Sequence, residues 1–431
     1  MQILDWSTLS EVQQAEALAR SPLVGDENLE QTVASILQQV RQDGDDALLA
    51  LSRKFDGVEI ADIKLSAEAI ASACSNVPQS LKEAIAQAIA NIETFHNAQK
   101  FQGVDLETQP GIRCELRTEA IEKVGLYIPG GSAPLISTVL MLALPAKIAG
   151  CDQRVLVSPP PINDAIVYAA NACGIDEIYQ VGGAQAIAAL AFGSQSVPKV
   201  DKIFGPGNRF VTEAKRQVSQ DSQSVVSIDM PAGPSEVLVI ADAKAEPAFI
   251  AADLLSQAEH GPDSQVMLVT DSETLAAQVN TALSAQLEAL PRKEMASVAL
   301  LSSRTLLVKD MAQAAAVSNL YGPEHLIVQT ESPRDILKDI RAAGSVFLGA
   351  YTPESVGDYA SGTNHVLPTY GYSRSVSSLS LADFSRRFTV QELTPLGLQN
   401  LGNAVMTMAE AEQLDAHKNA VALRLAKLAE E

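Results

Sequence analysis

VGLYIP at residues 124–129 and RVLVS at residues 154–158 decide the fold class, since each is a short apolar run typical of a buried strand and a helix-like segment at 137–148 separates them. The alternation continues along the chain, with strand-like runs at 177–181, 202–204, 236–241 and 265–270 and helix-like patterns at 165–172, 184–191 and 209–218. Repeated βα units of this length predict an α/β fold of parallel sheets covered by helices on both faces. There are enough units for two such sheets.

The chain of 431 residues is too long for one average domain, so two or more folding units are expected. Its content of 47% hydrophobic and 19% charged residues is ordinary for a soluble globular enzyme. Its net charge of −21 argues against nucleic acid and anionic membranes as partners, because both require clustered lysine and arginine. The most apolar segment, 135–148, is too short to span a bilayer, and residues 1–16 lack the pattern of a secretory signal. The four cysteines are scattered and form no CxxC motif. We therefore expect a cytoplasmic protein.

Both ends of the chain have helical patterns. Ser80 and Glu83 form a capping box that predicts a helix start, because each side chain can bond the other residue's free backbone N–H. His96 ends an apolar stripe that begins at Ile85, which favours a partly buried or stripe-edge histidine over a ligand. After about residue 380 helical patterns return, and a tail of about fifty residues is too small to bury a core of its own. The tail is expected to dock on the main body or on a second chain.

The residues by themselves leave nucleotide binding open. The dinucleotide fingerprint GxGxxG is absent, since the only GxG, Gly205-Pro-Gly207, has Phe210 where the third glycine would stand, and no P-loop motif occurs. Two turns remain as candidates, one at 127–131 and one at 205–208, because both could present backbone N–H groups to an anion. Ordinary βα turns have the same composition, so these turns neither require nor exclude a bound NAD.

Side chains that can carry chemistry concentrate around four of the five histidines. Gln257 and His260 are three residues apart and precede Gly261-Pro262, which predicts two potential ligands on the last turn of a helix. Glu324 and His325 follow a Gly-Pro turn at a predicted strand entrance, and a carboxylate beside an imidazole is a natural acid–base pair. A helix end with a favourably placed histidine and a solvated loop pair are the ordinary alternatives.

Two later segments add candidate ligands. The loop-like segment 357–368 contains Asp358, a candidate ligand, and His365, which could be a ligand or support one. In the tail, Asp415 can cap the final helix, which would place His417 in its first turn and Glu412 at the end of the preceding helix. A surface histidine is the ordinary alternative there.

Four of these residues form a mixed nitrogen and oxygen ligand set: Gln257, His260, Asp358 and His417. Such a set suits zinc or a neighbouring first-row ion, and an incomplete protein shell would leave room for a substrate. The strong HExxH spacing of many zinc enzymes is absent.

Taken together, eight segments resemble the histidinol dehydrogenase family. They run in the family's order from about residue 120 to the C-terminus and are VGLYIPGG, GGAQAIAALAFG, FGPGNRFV, DMPAGPSEVLV, DLLSQAEHGPDSQ, NLYGPEHL, SVGDYASGTNHVLPT and AEQLDAHKNAV. Of these, SQAEHG, GPEHL and GDYASGTNHVLPT are long enough to be specific.

The resemblance implies two incomplete Rossmann-like parallel-sheet domains with small helical extensions at the N- and C-termini. It implies four parts: an N-terminal helical arm at 1–23, an α/β domain at 24–126 and 233–379 with most of the zinc and catalytic residues, an NAD-contacting Rossmann-like domain at 127–232, and a C-terminal helical tail at 380–431. The family is a homodimer in which the tail docks on the partner subunit and contributes its histidine and nearby glutamate there.

The resemblance also assigns roles to residues that match the family's motifs. Glu324 looks like the carboxylate that activates water, and His325 looks like the general base. The implied zinc ligands are Gln257, His260, Asp358 and His417, and the implied NAD contacts are Tyr127, Gln185 and Asn208. The implied histidinol contacts are Ser235, Gln257, His260, His325, Asp358, Glu412 and His417.

The implied reaction is a four-electron oxidation of L-histidinol through L-histidinaldehyde to L-histidine, at the end of histidine biosynthesis. Zinc would bind the imidazole and amino nitrogens of histidinol and so orient the substrate. His325 would take the hydroxyl proton as hydride passes to one NAD, and Glu324 would activate the water that attacks the aldehyde before a second hydride transfer.

Three other interpretations remain. Cys114 or Cys151 could carry the aldehyde oxidation as a thiohemiacetal, although Cys151 looks like a core residue. A zinc hydrolase could use Glu324 as its base, and consumption of NAD would distinguish it from a dehydrogenase. A non-catalytic binding protein is the weakest interpretation, because it gives no reason for an acid–base pair beside four candidate metal ligands.

Overall fold

The computed structural model describes residues 1–20, 27–130, 134–230 and 233–430. The chain divides into two compact units. The first unit is formed by Met1–Gln99 and Ile121–Phe384, and the second by Lys100–Ala120 and Ser385–Glu431. Among the helices in the described ranges, none is long and apolar enough to cross a membrane.

The helices of the described residues are α1 (Glu11–Ala17), α2 (Glu27–Asp43), α3 (Asp45–Phe55), α4 (Ala67–Asn76), α5 (Gln79–Asn97), α6 (Ile136–Ala149), α7 (Asp164–Ala172), α8 (Gly183–Phe192), α9 (Arg209–Gln220), α10 (Pro247–Ala258), α11 (Glu273–Ala289), α12 (Lys293–Leu301), α13 (Met311–Tyr321), α14 (Pro333–Leu337), α15 (Glu354–Tyr359), α16 (Pro395–Ala411) and α17 (Asp415–Glu430). The strands are β1 (Gln2–Asp5), β2 (Val104–Gln109), β3 (Ile112–Ala120), β4 (Lys123–Tyr127), β5 (Gln153–Ser158), β6 (Ile178–Gln180), β7 (Lys202–Phe204), β8 (Ser227–Ile228), β9 (Glu236–Ala241), β10 (Gln265–Thr270), β11 (Arg304–Leu307), β12 (His325–Gln329), β13 (Ser345–Leu348) and β14 (Ser385–Leu393).

The predicted parallel α/β organisation is confirmed by two sheets in the first unit. One sheet has five parallel strands in the order β6-β5-β4-β7-β8. The chain moves from β4 outward through β5 and β6, then returns to the other side of β4 for β7 and β8. The strand order therefore reverses between β4 and β7, and ligands of open parallel sheets bind beyond the carboxyl ends of strands at such a point.

The other sheet of the first unit has six parallel strands in the order β1-β11-β10-β9-β12-β13. Its strands β9 and β10 have the same bounds as the predicted runs 236–241 and 265–270. The structure differs from the helical arm predicted at 1–23, because β1 pairs in parallel with β11 at the sheet edge before α1 begins. A strand of four residues is too short to show a two-residue period. The boundary predicted at residues 23 and 24 lies outside the described residues.

Helices α2 to α5 pack on the five-stranded sheet and its helices. Ile85 and Ile92 of α5 share a buried cluster with Leu126 of β4, and Leu48 of α3 shares one with Val155 of β5. The prediction instead grouped residues 24–126 with 233–379. The structure differs because the apolar faces of these helices are covered by the sheet of the predicted NAD-contacting domain.

The predicted capping box at Ser80 and Glu83 was wrong. Helix α5 begins at Gln79, and Pro78 is its N-cap residue with extended backbone angles, so Ser80 lies inside the first turn. Proline is well suited to the start of a helix because it has no N–H to satisfy. The expectation for His96 is met, since the residue is fully buried and its Nδ1 lies 2.9 Å from the Ile92 carbonyl oxygen.

The second unit combines a three-stranded antiparallel sheet, in the order β14-β3-β2, with the packed helices α16 and α17. The helices confirm the helical pattern seen after residue 380, but β14 was not predicted. Strand β14 has no buried residue and reads SRRFTVQEL, so its alternation lacks a continuous apolar face. The unit also contains 100–120, which the predicted tail at 380–431 did not include.

Candidate functional site

A cavity of about 600 Å³ lies at the carboxyl ends of β4 and β7, where the strand order reverses. All three residues predicted to contact NAD line this cavity: Tyr127, Gln185 and Asn208. The other lining residues come from α2, from the end of α3, from the loops after β4 and β5 and from the first turns of α8 and α9: Thr32, Ile36, Phe55, Asp56, Pro129, Gly130, Pro159, Pro160, Gly183, Ala184 and Phe210. The structure therefore brings the three predicted residues together at the position that the topology favours for a ligand.

The turn at 205–208 has the conformation that its glycines and Asn208 allow. Gly205 has a φ of 124°, and a Cβ atom there would lie 2.1 Å from the carbonyl oxygen of Tyr127, so only glycine fits. Asn208 is the N-cap of α9, and its Oδ1 accepts hydrogen bonds from the backbone N–H groups of Phe210 and Val211 at 3.0 and 3.2 Å. The other candidate turn includes Gly131, which lies outside the described residues.

A buried ion pair between Asp229 and Lys215 fixes the turn at 205–208 through the backbone of Gly205. Asp229 accepts a hydrogen bond from the Gly205 backbone N–H at 2.8 Å and pairs with the Lys215 ammonium group. Lys215 also donates to the Gly205 carbonyl oxygen at 3.0 Å. Both backbone groups of Gly205 are therefore fixed by charged side chains that are themselves almost fully buried.

Glu324 and His325 lie at the amino ends of β9 and β12 in the six-stranded sheet. Helix α13 ends at Tyr321, and Gly322 follows it with a φ of 65°, so the chain turns directly into β12. This arrangement confirms the predicted presentation of the pair at a strand entrance. Both side chains are nearly inaccessible to solvent.

The backbone of Glu236 holds both members of the pair. Its N–H donates to Glu324 Oε2 at 2.8 Å, and its carbonyl oxygen lies 3.0 Å from His325 Nδ1. A nitrogen that faces a carbonyl oxygen must carry the proton, so the neutral tautomer of His325 has a free lone pair on Nε2. Among the described residues His325 Nε2 has no hydrogen-bond partner, and Asp358 Oδ1 lies 3.5 Å from it.

The charges around His325 favour its protonated form. Burial opposes the charge, but the nearby carboxylates of Glu324 and Asp358 outweigh burial and hold the pKa of His325 well above its usual range. Burial raises the pKa of Glu324, and the adjacent imidazole opposes that rise. The two carboxylates would stabilise the imidazolium ion that forms when the neutral His325 takes a proton.

Gln257 and His260 lie around the end of α10, but only Gln257 belongs to the helix, whereas both were predicted on its last turn. Helix α10 ends at Ala258, and His260 follows in a turn where its backbone N–H bonds the Gln257 carbonyl oxygen at 3.1 Å. Gln257 is buried, whereas His260 is exposed.

Asp358 lies on the short helix α15 and not in the predicted loop. Burial opposes its charge, but His325, His365 and His260 outweigh burial and lower the pKa of its carboxyl group. His365 follows α15 in the loop, and burial lowers the pKa of its imidazole. A carboxylate among three imidazoles is suited to share a cation with them.

The side chain of Gln257 is oriented by a residue that the sequence did not reveal. Glu354, one helical turn before Asp358 on α15, accepts hydrogen bonds at its Oε1 from Gln257 Nε2 at 2.8 Å and Ser256 Oγ at 2.5 Å. Gln257 Oε1 has no partner in the part of the chain that the structure describes. Burial raises the pKa of Glu354 to about 8.

These donors fit a divalent cation by their chemistry. Amide oxygen, imidazole nitrogen and carboxylate oxygen can all bind zinc, and Gln257 Oε1 is a buried polar atom without a hydrogen-bond partner among the described residues. Within the described ranges, however, no group of three or more His, Cys, Asp or Glu side chains already has the spacing to hold a metal ion.

The remaining predicted substrate residues have two locations. Ser235 directly precedes β9, and its carbonyl oxygen accepts the Gln265 N–H at 3.1 Å. Glu412 and His417 belong to the second unit, where Glu412 is the C-cap of α16 and His417 lies in the first turn of α17, as predicted. Both are exposed in the single chain. Asp415 is the first residue of α17 and not its cap.

Sequence reasoning missed Glu236, Glu354 and Arg20, which contacts Glu236. Of these three, only Glu236 has a signal in the sequence, because it is a charged residue at the start of the otherwise apolar run EVLVIA. In the structure it is 1% exposed. Charged residues are rarely buried unless they are paired, so a charge at that position indicates a partner.

Comparisons with known proteins point to one family. The sequence model described as histidinol dehydrogenase matches residues 20–425. The chain is 71% identical to a histidinol dehydrogenase of Shewanella oneidensis, over 99% of this chain and 100% of that protein. It is 59% identical to one of Escherichia coli O157:H7, over 100% and 99%. A crystal structure of histidinol dehydrogenase from Elizabethkingia anophelis superposes with a TM-score of 0.96 at 47% identity and covers 99% of this chain and 98% of that one.

Proposed function

Because the chain belongs to the histidinol dehydrogenase family, we propose that it catalyses the NAD-dependent oxidation of L-histidinol to L-histidine in histidine biosynthesis. The reaction removes four electrons and passes through L-histidinaldehyde. It therefore consumes two NAD for each histidinol. The observation that carries the proposal is the buried acid–base pair of Glu324 and His325, in which His325 Nε2 makes no hydrogen bond to any described residue.

His325 acts as the general base for the alcohol. The Glu236 carbonyl oxygen holds the proton on Nδ1, so Nε2 can take the hydroxyl proton while hydride leaves the adjacent carbon. Glu324 acts in the second oxidation by removing a proton from the water that attacks the aldehyde. Burial raises the pKa of Glu324 above its usual value, which makes its carboxylate a stronger base.

The NAD site is the cavity lined by Tyr127, Gln185 and Asn208. Its position at the reversal of strand order supports this assignment. The N-terminus of α9 follows the Gly205 turn, and a helix N-terminus favours phosphate groups even without a GxGxxG fingerprint.

Zinc would be held by Gln257, His260 and Asp358, with His417 as the fourth ligand. Bound zinc would supply a fixed positive charge that anchors the nitrogen atoms of the substrate and so orients its hydroxyl group. Ser235, His325 and Glu412 would complete the histidinol site. The unpartnered Oε1 of Gln257 supports this set.

The proposed assembly is a homodimer with shared sites. Glu412 and His417 are exposed in the single chain, and the same unit exposes the apolar side chains of Leu396, Met408, Leu414 and Leu423. Exposed apolar side chains of this kind favour an interface with another chain. The predicted cytoplasmic location also remains a proposal, and all four cysteines are free thiols in keeping with it.

A cysteine route for the aldehyde step has little support. Cys151 is buried, its Sγ contacts the Phe384 carbonyl oxygen at 3.6 Å, and burial raises the pKa of its thiol to about 12. A thiol with that pKa supplies almost no thiolate nucleophile. Cys114 lies on β3 in the second unit.

The test is to count NADH formed per L-histidinol consumed, before and after treatment with a chelator. Two NADH per histidinol, abolished by chelation and restored by zinc, is the expected result. One NADH per histidinol would contradict the role of Glu324. A folded, zinc-loaded protein that forms no NADH would overturn the dehydrogenase proposal and favour a zinc hydrolase.

A further inference from the structure

Arg20 forms a buried ion pair with Glu236 in the first unit. Arg20 Nε lies 2.5 Å from Glu236 Oε1, and Arg20 Nη2 lies 2.9 Å from Oε2. The two residues are 216 positions apart, and their side chains are 14% and 2% exposed. The contact is a bidentate guanidinium–carboxylate pair, which fixes orientation as well as distance.

The guanidinium group of Arg20 is fixed on its other sides too. It lies over the ring of Tyr321, 3.9 Å from the centroid, and donates to the Tyr321 carbonyl oxygen at 3.0 Å. Tyr321 is the last residue of α13, which leads through the turn into Glu324 and His325. Arg20 thus joins the segment that precedes the acid–base pair to the residue that holds the pair.

Glu236 connects this ion pair to both candidate catalytic side chains. Its N–H binds Glu324 and its carbonyl oxygen faces His325 Nδ1, as described above. Its Oε1 also accepts the Tyr370 backbone N–H at 3.0 Å. Glu236 is the first residue of β9, so its N–H and C=O groups lie at the end of the strand, next to the acid–base pair. Its side-chain anchors therefore have a direct effect on where its N–H and C=O groups point.

We propose that Arg20 is a positioning residue of the active site, which acts through Glu236 to aim Glu324 and His325. The inference rests on the proposed function, because it assumes that the pair carries the reaction. Loss of Arg20 would leave the Glu236 carboxylate buried without its cation, and such a group must move toward water or become neutral. Either change shifts the two backbone groups that hold the acid–base pair. A displacement of about 1 Å at reacting groups can cost on the order of a hundredfold in rate.

The test compares Arg20→Ala and Arg20→Lys with the unsubstituted enzyme. We expect kcat to fall by about tenfold to a hundredfold in Arg20→Ala, while the KM for histidinol and the zinc content stay within twofold. Arg20→Lys keeps the charge but cannot form the bidentate pair with Glu236. Its kcat should therefore lie between that of Arg20→Ala and that of the unsubstituted enzyme. Arg113→Ala is the matched control, because Arg113 forms an exposed bidentate pair with Asp105 and should leave kcat unchanged.

Two readouts separate positioning from a general loss of structure. Added guanidinium at subdenaturing concentration should partly restore kcat in Arg20→Ala but not in Arg113→Ala or the unsubstituted enzyme. The chain has only five histidines, so a ¹⁵N-histidine spectrum assigned with His325→Asn can report the His325 tautomer. Arg20→Ala should weaken the Nδ1–H signature at high pH.

The outcomes are distinct. An unchanged kcat in folded Arg20→Ala overturns the inference, as does a loss that follows zinc content. If Arg20→Ala does not fold, Arg20→Lys decides through the same readouts, and an unchanged kcat and tautomer there overturn it. Failure of the proposed function would differ, because the unsubstituted enzyme itself would form no NADH.

Discussion

Gln257 donates its amide hydrogen to Glu354, with 2.8 Å between Nε2 and Oε1, and this bond decides which end of the amide is left free. Glu354 Oε1 accepts from both Gln257 Nε2 and Ser256 Oγ, so Gln257 turns its nitrogen toward Glu354 and its Oε1 away from it. Glu354 is 1% exposed and lies on the same helix as Asp358, one turn earlier. One short helix therefore carries a candidate ligand and the residue that orients another.

Glu354→Gln should weaken zinc binding by about tenfold to a hundredfold. A glutamine at this position can turn either its oxygen or its NH2 group toward Gln257. It therefore no longer fixes Gln257 with Oε1 directed toward the proposed zinc site. The measurement is zinc affinity by competition with a chromogenic chelator, which does not depend on turnover. Ser256→Ala is the matched control, because it removes the other donor to Glu354 Oε1 and leaves the contact with Gln257. Equal zinc affinities in the two variants would contradict the orienting role of Glu354.

His325→Asn should lower kcat by about a hundredfold to ten-thousandfold with little change in zinc content. Asparagine can still donate to the Glu236 carbonyl oxygen but has no basic nitrogen in place of Nε2. Steady-state NADH formation and metal analysis of the same samples check this prediction. A fall in zinc content that parallels the loss of activity would mean that His325 is a ligand and not the base.

Asp253→Asn should stabilise the protein at high pH and not at low pH. Asp253 is buried with its Oδ2 2.6 Å from Gln329 Nε2, and burial raises the pKa of its carboxyl group to about 7, whereas an aspartate in an unfolded chain has a pKa of about 3.9. Between these two values Asp253 is deprotonated in the unfolded state and still protonated in the folded state. The free energy of unfolding therefore has its full value below about pH 4 and declines as the pH rises to 7. Asparagine has no charge to bury and can still accept from Gln329.

The difference in stability between Asp253→Asn and the unsubstituted protein should therefore grow between pH 5 and pH 8, by about 1–4 kcal/mol. Thermal or urea unfolding of both proteins at several pH values gives this difference, and the other titrating groups cancel because both proteins share them. A difference that does not change with pH would show that Asp253 titrates normally.

The sequence was sufficient for elements with strong local patterns. Strands β9 and β10 are fully buried apolar runs, and their bounds were predicted without error. Glu324 and His325 could be recognised because their residue types and the Gly-Pro turn before them are adjacent in sequence. Strands β1 and β14 were missed, because one is four residues long and the other has no buried residue.

The supporting residues of the site could not be predicted for a different reason. The contact of Arg20 with Glu236 joins positions 216 apart, and that of Gln257 with Glu354 joins positions 97 apart. Neither contact leaves a local pattern, since both are set by how the sheet and its helices pack. The packing of α2 to α5 on the five-stranded sheet is likewise a choice between two apolar surfaces that a single sequence does not distinguish.

Mixing two inactive variants tests whether each site is shared between subunits. His417→Asn should lose zinc affinity, whereas Glu324→Gln should retain zinc and lose the second oxidation. If the tail of one subunit completes the site of the other, a mixed dimer contains one site with both defects and one site with neither. Random reassociation should then restore up to about a quarter of the activity, because half the dimers are mixed and half their sites are intact. Formation of L-histidine after co-refolding measures this recovery, because Glu324→Gln can still form NADH in the first oxidation, and each variant alone gives the background. Verified mixed dimers with no recovered activity would mean that His417 serves its own chain.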